Sequence, residues 1–393
     1  MAEVYREINP SNRILMGPGP CDMDPRVLKA MTTPLVGHLD PDFLEIMDEI
    51  MDMLRRLFQT ENALTIPIPG TGTSGMEAAL CNVIEEGDEV LVCVNGFFGQ
   101  RMTDIVQRCR GVLTTVEADW GKIIPPEKVK AALEKGNPKI VAIVHTETST
   151  GVLQPLEEIG RMVREHDALF LVDAVTSLGG VPVKIDEWGI DICYSCTQKC
   201  LGCPSGLSPV AFSDRAMDVI RNRKQKVQSW YLDMSLLERY WGSERMYHHT
   251  APISMIYAFH EALRLIHEEG LEERFQRHST ISAALAAGVE AMGLKLLAQE
   301  GYRAPMLTTV GVPDRIVDAN VRKKLLNDYL IEVGGGLGDF KGKAWRIGLM
   351  GHSCKKRNVL FLLSALENIL AEEGYNIERG AGIDAANRAF PGA

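Results

Sequence analysis

The strongest constraint in this chain is a regular alternation of apolar, β-prone runs with stretches of helical periodicity. It reads as strand 89–94, helix 99–109, strand 112–116, helix 126–134, strand 139–144, helix 156–166 and strand 168–173. Strands separated by helices cannot pair as tight hairpins; they cross over and run parallel. Continuous apolar runs such as Ala168-Leu-Phe-Leu-Val172 suit strands covered on both faces. The pattern predicts an α/β fold built on a large, doubly wound, mainly parallel sheet. Upstream, Phe43, Ile46, Met47, Ile50, Met51 and Leu54 recur at helical spacing after Pro41. A short strand at 63–66 then leads into a Gly-rich stretch, where Thr73, Ser74 and Gly75 open a helix through Ile84. Ser74 and Glu77 stand at capping-box spacing.

Helical periodicity takes over from Ile253 to about Met292, with a joint near Gly270. A shorter mixed unit follows: strand 307–312, helix 318–328, strand 344–349 and helix 356–373. This predicts a second, smaller α/β domain, and 393 residues suffice for two. The expected division is 21–265 for the large domain, with 1–20 and 266–393 forming the small one. The last twenty residues read as a loosely held tail.

A net charge of −10, with only Arg221–Lys226 locally basic, argues against nucleic acid as a partner. No apolar run approaches the ~20 residues of a membrane span, and the start MAEVYREINPSNR has no signal-peptide core. Nine cysteines without secretory context suit a reducing compartment, and Phe390-Pro-Gly-Ala393 carries no targeting tripeptide. The expectation is a cytoplasmic protein with no membrane association.

The chemistry concentrates in Asp191–Gly206. An apolar lead-in, Ile190 to Tyr194, reads as a buried strand, and Lys199 follows just past its end. By residue type alone this is a surface loop lysine. Asp173 changes the reading, because it stands at the carboxyl end of the apolar strand 168–173, where ligands gather in open α/β sheets. A buried carboxylate facing a lysine is what pyridoxal phosphate requires: one group for the pyridinium nitrogen, one to bind the carbonyl carbon.

Pro69 to Gly75, with Gly70, Gly72 and Gly75, is a third piece. It matches G-x-G-x-x-G between a strand and a helix, which also fits a nicotinamide dinucleotide site. Pro67 and Pro69 disturb that tight turn, and the acidic residue expected about twenty positions on is missing. The hydroxyls of Thr71 and Thr73 suit a terminal monophosphate at a helix N-terminus. Cys193, Cys196, Cys200 and Cys203 form a rival pattern, but their spacing differs from the bacterial iron–sulfur run, and no metal is expected. Phosphate cup, strand-end aspartate and lysine, in that order, favour pyridoxal phosphate.

Over nearly its whole length the chain resembles the alanine–glyoxylate/serine–pyruvate aminotransferase family of fold-type-one pyridoxal phosphate enzymes. The motifs are GPGP (17–20), GTGTSGMEAAL (70–80), NGFFGQR (95–101), TSTGVLQPL (148–156), LVDAVTSLGG (171–180), SCTQK (195–199), RMYHHT (245–250) and WRIGLMG (345–351). The resemblance implies that Lys199 is the Schiff-base lysine and that Asp173 holds the ring nitrogen. It implies that Thr71, Gly72, Thr73 and Gln198 contact the phosphate, joined by Tyr247 and Thr250 from the second subunit of a homodimer. Phe98 would stack on the ring, Thr148 would lie near its 3-oxygen, and Arg346 with the Gly19 backbone would take the substrate carboxylate. The implied reaction is ping-pong amino transfer from a small amino acid, alanine or serine, to glyoxylate or pyruvate. Another reaction on the same fold, desulfuration or lyase cleavage, is the alternative. Departures from the family, which often has tryptophan at Phe98, histidine at Thr73 and serine at Thr148, bear on substrate preference.

Overall fold

The computed structural model describes residues 5–390. The sequence readings on residues 1–4 and 391–393 lie outside them. The predicted alternation is realised as a seven-stranded sheet. Its order across the sheet is Leu64–Pro69, Leu207–Phe212, Ile192–Tyr194, Leu169–Asp173, Ile140–Val144, Glu89–Val94 and Val112–Glu117. Only Leu207–Phe212 runs against its neighbours; the other pairings are parallel. The central strands are buried along their length, as their unbroken apolar runs require.

Local chemistry fixes the helices that cover this sheet. Helix Pro41–Phe58 starts where the Asp40 carboxylate accepts the Asp42 amide and proline occupies the first turn, and it ends at Gln59 in the left-handed region. Its buried stripe is Phe43, Met47, Ile50, Leu54, Leu57 and Phe58, with Ile46 and Met51 at the margin. Helix Gly72–Val83 begins earlier than expected. Thr71 is its N-cap, and the Ser74 hydroxyl donates to the Thr71 carbonyl at 2.6 Å inside the first turn, so Ser74 does not cap it.

A second hydrophobic cluster includes Trp345, takes Met16 from the N-terminal segment, and extends from Ile281 to Phe390. Its three-stranded sheet has the order Leu307–Gly311, Ala344–Gly348, Gly334–Gly335, all antiparallel. Ile14–Leu15 pairs in parallel with Ile331–Glu332 and so anchors the N-terminal segment here.

Through Phe390 the tail is not loose. Ala381–Ala389 forms a helix packed against helix Leu271–Ala291. The buried Glu367 carboxylate accepts the Gly380 and Gly382 amides at 2.8 Å each, an acidic cap at the helix start. A Cβ on Gly288 would lie 2.9 Å from the Gly382 carbonyl oxygen, so bare glycine lets the two helices meet. Apolar periodicity misses this helix because small residues, not large ones, make its contact. Among the described residues, no helix is long and apolar enough to cross a membrane.

Candidate active site

Asp173 ends its strand in register with Tyr194 of the neighbour. It is 2% exposed. One carboxylate oxygen accepts the Tyr194 hydroxyl and the other the Val175 amide, each at 2.8 Å. Burial pushes its pKa up to about 6, against those two donors.

Lys199 lies just past the end of that neighbouring strand, 6% exposed. Its Nζ donates to the hydroxyls of Thr148 and Thr176 at 3.1 Å each, and those two hydroxyls bond one another. Burial lowers its pKa and so moves the amine toward its neutral form. The lysine loop is braced from the N-terminal segment: the Cys21 thiol donates to the Lys199 carbonyl at 3.0 Å, and the Cys21 amide to the Gln198 carbonyl at 3.1 Å. Gly19 sits at φ +111°, which demands glycine, and a Cβ there would stand a tight 3.0 Å from Lys199 Cγ.

The phosphate candidates surround a helix start. Thr71 makes no side-chain cap bond, and while the Ser74 amide donates to the Thr71 carbonyl at 2.8 Å, the Gly72 and Thr73 amides at the start of helix Gly72–Val83 are left to whatever enters the cavity. A Cβ on Gly72 would lie 2.9 Å from Val175, and one on Gly75 would lie 2.1 Å from Ser208 Oγ. These glycines therefore serve close packing as well as ligand approach. Gln198 keeps one buried amide atom without a partner, and rotating the amide exchanges its donor and acceptor ends.

Arg346 leaves strand Ala344–Gly348 with Nε donating to Gly335 O at 2.7 Å and Nη1 to Thr148 O at 3.1 Å. Both partners are neutral, and burial lowers its pKa to about 10. Gly19, Thr71, Gly72, Thr73, Phe98, Thr148, Asp173, Gln198, Lys199 and Arg346 all line one cavity of about 290 Å³. Tyr247 and Thr250 do not; both are exposed, Tyr247 at 58%.

Three further residues were not singled out from sequence. Thr176 shares the Lys199 amine with Thr148, and a hydroxyl just after the strand-end aspartate was its one available signal. Glu147 is fully buried and accepts the Phe98 and Gly99 amides at 3.1 and 3.3 Å, together with the Ser149 amide and hydroxyl. It caps the helix that carries Phe98. Buried Arg274 donates to Gly179 O at 2.9 Å and also binds Cys200 O, tying the lysine loop to helix Leu271–Ala291. No short motif announces a contact of that sequence separation.

The cysteines around Lys199 do not point at a common centre. Cys193 is packed in the main core, while the Cys196 and Cys200 thiols donate to the Val175 and Thr176 carbonyls at 3.6 and 3.4 Å. Burial raises the Cys196 thiol to about 12.

Residues 27–339 match the family model described as aminotransferase class-V. The chain belongs to the class-V aminotransferases. It is 45% identical to the (S)-ureidoglycine–glyoxylate transaminase of Bacillus subtilis (strain 168), over 97% of this chain and 96% of that one. The crystal structure of a ureidoglycine–glyoxylate aminotransferase from Bacillus subtilis superposes with a TM-score of 0.96 at 47% identity, covering 98% of this chain and 99% of that chain. That of an alanine–glyoxylate aminotransferase from Nostoc sp. gives 0.93 at 50% identity, covering 94% and 98%.

Family membership makes this chain a pyridoxal phosphate-dependent aminotransferase. The residues present fit that cofactor. A helix start with uncapped amides, an unpartnered Gln198 amide atom, a carboxylate already oriented by two donors and a buried amine all face one cavity.

Proposed function

We propose that this aminotransferase moves an amino group from a small donor, alanine or serine, to glyoxylate or pyruvate by a ping-pong course. The observation that carries the reading is the cavity of about 290 Å³ shared by Lys199, Asp173 and Arg346. Bound pyridoxal phosphate supplies a carbonyl for the amino group and a ring that accepts electrons. Thr71, Gly72, Thr73 and Gln198 hold its phosphate, Phe98 packs on the ring, and Asp173 fixes the ring nitrogen. Arg346, aimed by the Gly335 and Thr148 carbonyls, takes the donor carboxylate in the paired geometry that guanidinium favours. Lys199, moved toward the neutral amine by burial, takes the Cα proton of the donor and returns one to the acceptor in the reverse half.

A second donor, (S)-ureidoglycine, is favoured by the relative in Bacillus subtilis at 45% identity. Half-reaction rates, with alanine, serine and (S)-ureidoglycine as donors and separately with glyoxylate and pyruvate as acceptors, separate the candidates. The main reading requires alanine or serine to lead; (S)-ureidoglycine leading by tenfold or more transfers the assignment to the second.

Tyr247 and Thr250 complete the phosphate site of a second copy in a homodimer. Their exposure supports this, as does the aromatic patch around them, where Trp230 is 61% exposed, Tyr231 is 41% exposed, and His38 packs on Tyr247. Mixing a Lys199→Ala subunit with a Tyr247→Phe/Thr250→Ala subunit puts both defects in one site and leaves the other intact. Heterodimers then show about half the wild-type activity by site counting; heterodimers without regained activity refute the shared site. The division into 21–265 and 1–20 with 266–393 is supported by the two larger hydrophobic clusters, while a third and smaller one, with Val181, Cys200 and Met306, lies across the division. Nine unpaired cysteines support a cytoplasmic setting.

A further inference from the structure

We propose that Arg101 is the cation that answers the cofactor phosphate, a role resting on the pyridoxal phosphate reading of the site. The residues assigned to that phosphate, Thr71, Gly72, Thr73 and Gln198 with Tyr247 and Thr250 of a second copy, are all neutral. A phosphate monoester carries about −1.5 to −2 charge at pH 7. Hydroxyls and amides alone set no cationic side chain against that charge. Arg101 lines the same cavity. Its Nη1 donates to Thr73 Oγ1 at 3.0 Å.

The other cations lining this cavity have different work. Lys199 is bonded to Thr148 and Thr176, and Arg346 to Gly335 and Thr148. Arg101 makes no ion pair among the described residues, whereas Arg108 on the same helix pairs with Asp104 at 2.9 Å. Aromatic rings hold it instead: its guanidinium carbon is 4.9 Å from the centre of Phe98 and 5.3 Å from that of Phe97. Such faces steady a guanidinium without neutralising it. The Thr73 hydroxyl, accepting from Arg101, keeps its own proton to donate into the cavity. A hydroxyl polarised this way by a cation is a stronger donor. The planar fork of arginine also leaves further N–H groups for an oxyanion, which a lysine ammonium would not present in the same plane.

The test uses the full-length protein with pyridoxamine phosphate and with pyridoxamine, neither of which has a carbonyl to react with Lys199. Arg101→Gln should weaken pyridoxamine phosphate about tenfold or more and pyridoxamine less than twofold, and Arg101→Lys should restore part of the loss. In the phosphorus resonance of the loaded protein, the midpoint of the second phosphate ionisation, near 6 when free, should lie about one pH unit or more higher in Arg101→Gln than in wild type. Equal weakening of both ligands would show that Arg101 acts only through the packing of Phe98. Unchanged affinities with an unchanged ionisation midpoint would equally overturn the proposal. A wild-type protein that binds neither compound would instead overturn the cofactor reading.

Discussion

Asp173 and Lys199 face one cavity, yet no ion pair joins them. The carboxylate is turned toward Tyr194 and Val175, the amine toward Thr148 and Thr176. Burial raises the pKa of one and lowers that of the other, so each is held in a state that a bound cofactor ring and carbonyl would relieve.

Asp173 makes the cofactor-free protein sensitive to pH. Its folded pKa, about 6, lies above the unfolded value of 3.8. The stability this group contributes is thus present below 3.8 and is lost as pH rises through 6. Cofactor-free Asp173→Asn should therefore unfold at higher temperature than wild type at pH 8, by a margin worth on the order of 2–3 kcal/mol. The margin should shrink toward pH 4, and the variant should lose cofactor on gel filtration. A margin independent of pH would contradict the assignment.

Glu147→Gln should destabilise the protein by roughly 1–3 kcal/mol, because an amide NH2 would replace one oxygen facing backbone and hydroxyl donors. Through Phe98 it should also change the visible circular dichroism of the bound cofactor. Thermal unfolding and that spectrum check the two halves separately. An unaltered spectrum would confine Glu147 to stability.

What could be read in advance follows the range of each interaction. Asp173 and Lys199 were legible because parallel strands bring their carboxyl ends to one edge, so chain order predicts proximity. Glu147 and Arg274 were not, since their partners are set by how a helix cap and a distant helix pack onto the loop. The small-residue helix Ala381–Ala389 lacks the large apolar side chains that mark a helix in sequence, and the capping-box spacing at Ser74 does not mark the N-cap, a position held by Thr71 without a side-chain bond.

Arg346→Met should lower kcat/KM for carboxylate-bearing donors by a hundredfold or more, about 3 kcal/mol at 1.4 kcal/mol per decade. A simple primary amine such as ethylamine should react equally with both proteins. A parallel loss for ethylamine would assign Arg346 to the frame of the cavity and not to the donor carboxylate.

Cys196 and Cys200 should resist iodoacetamide in the native protein at pH 8, since both are buried and burial raises both thiols, that of Cys196 to about 12. Mass analysis after brief labelling checks this. Rapid modification of either residue in the folded state would mean that the lysine loop opens readily.

The central claim is that Lys199 carries the cofactor. Borohydride reduction of the purified protein, followed by peptide mass mapping, tests it most directly. A cofactor held by Lys199 requires loss of the visible absorbance band and a pyridoxyl phosphate mass on the peptide at Lys199 alone. Label on a different lysine, or full loss of the band with Lys199 unmodified, would contradict it.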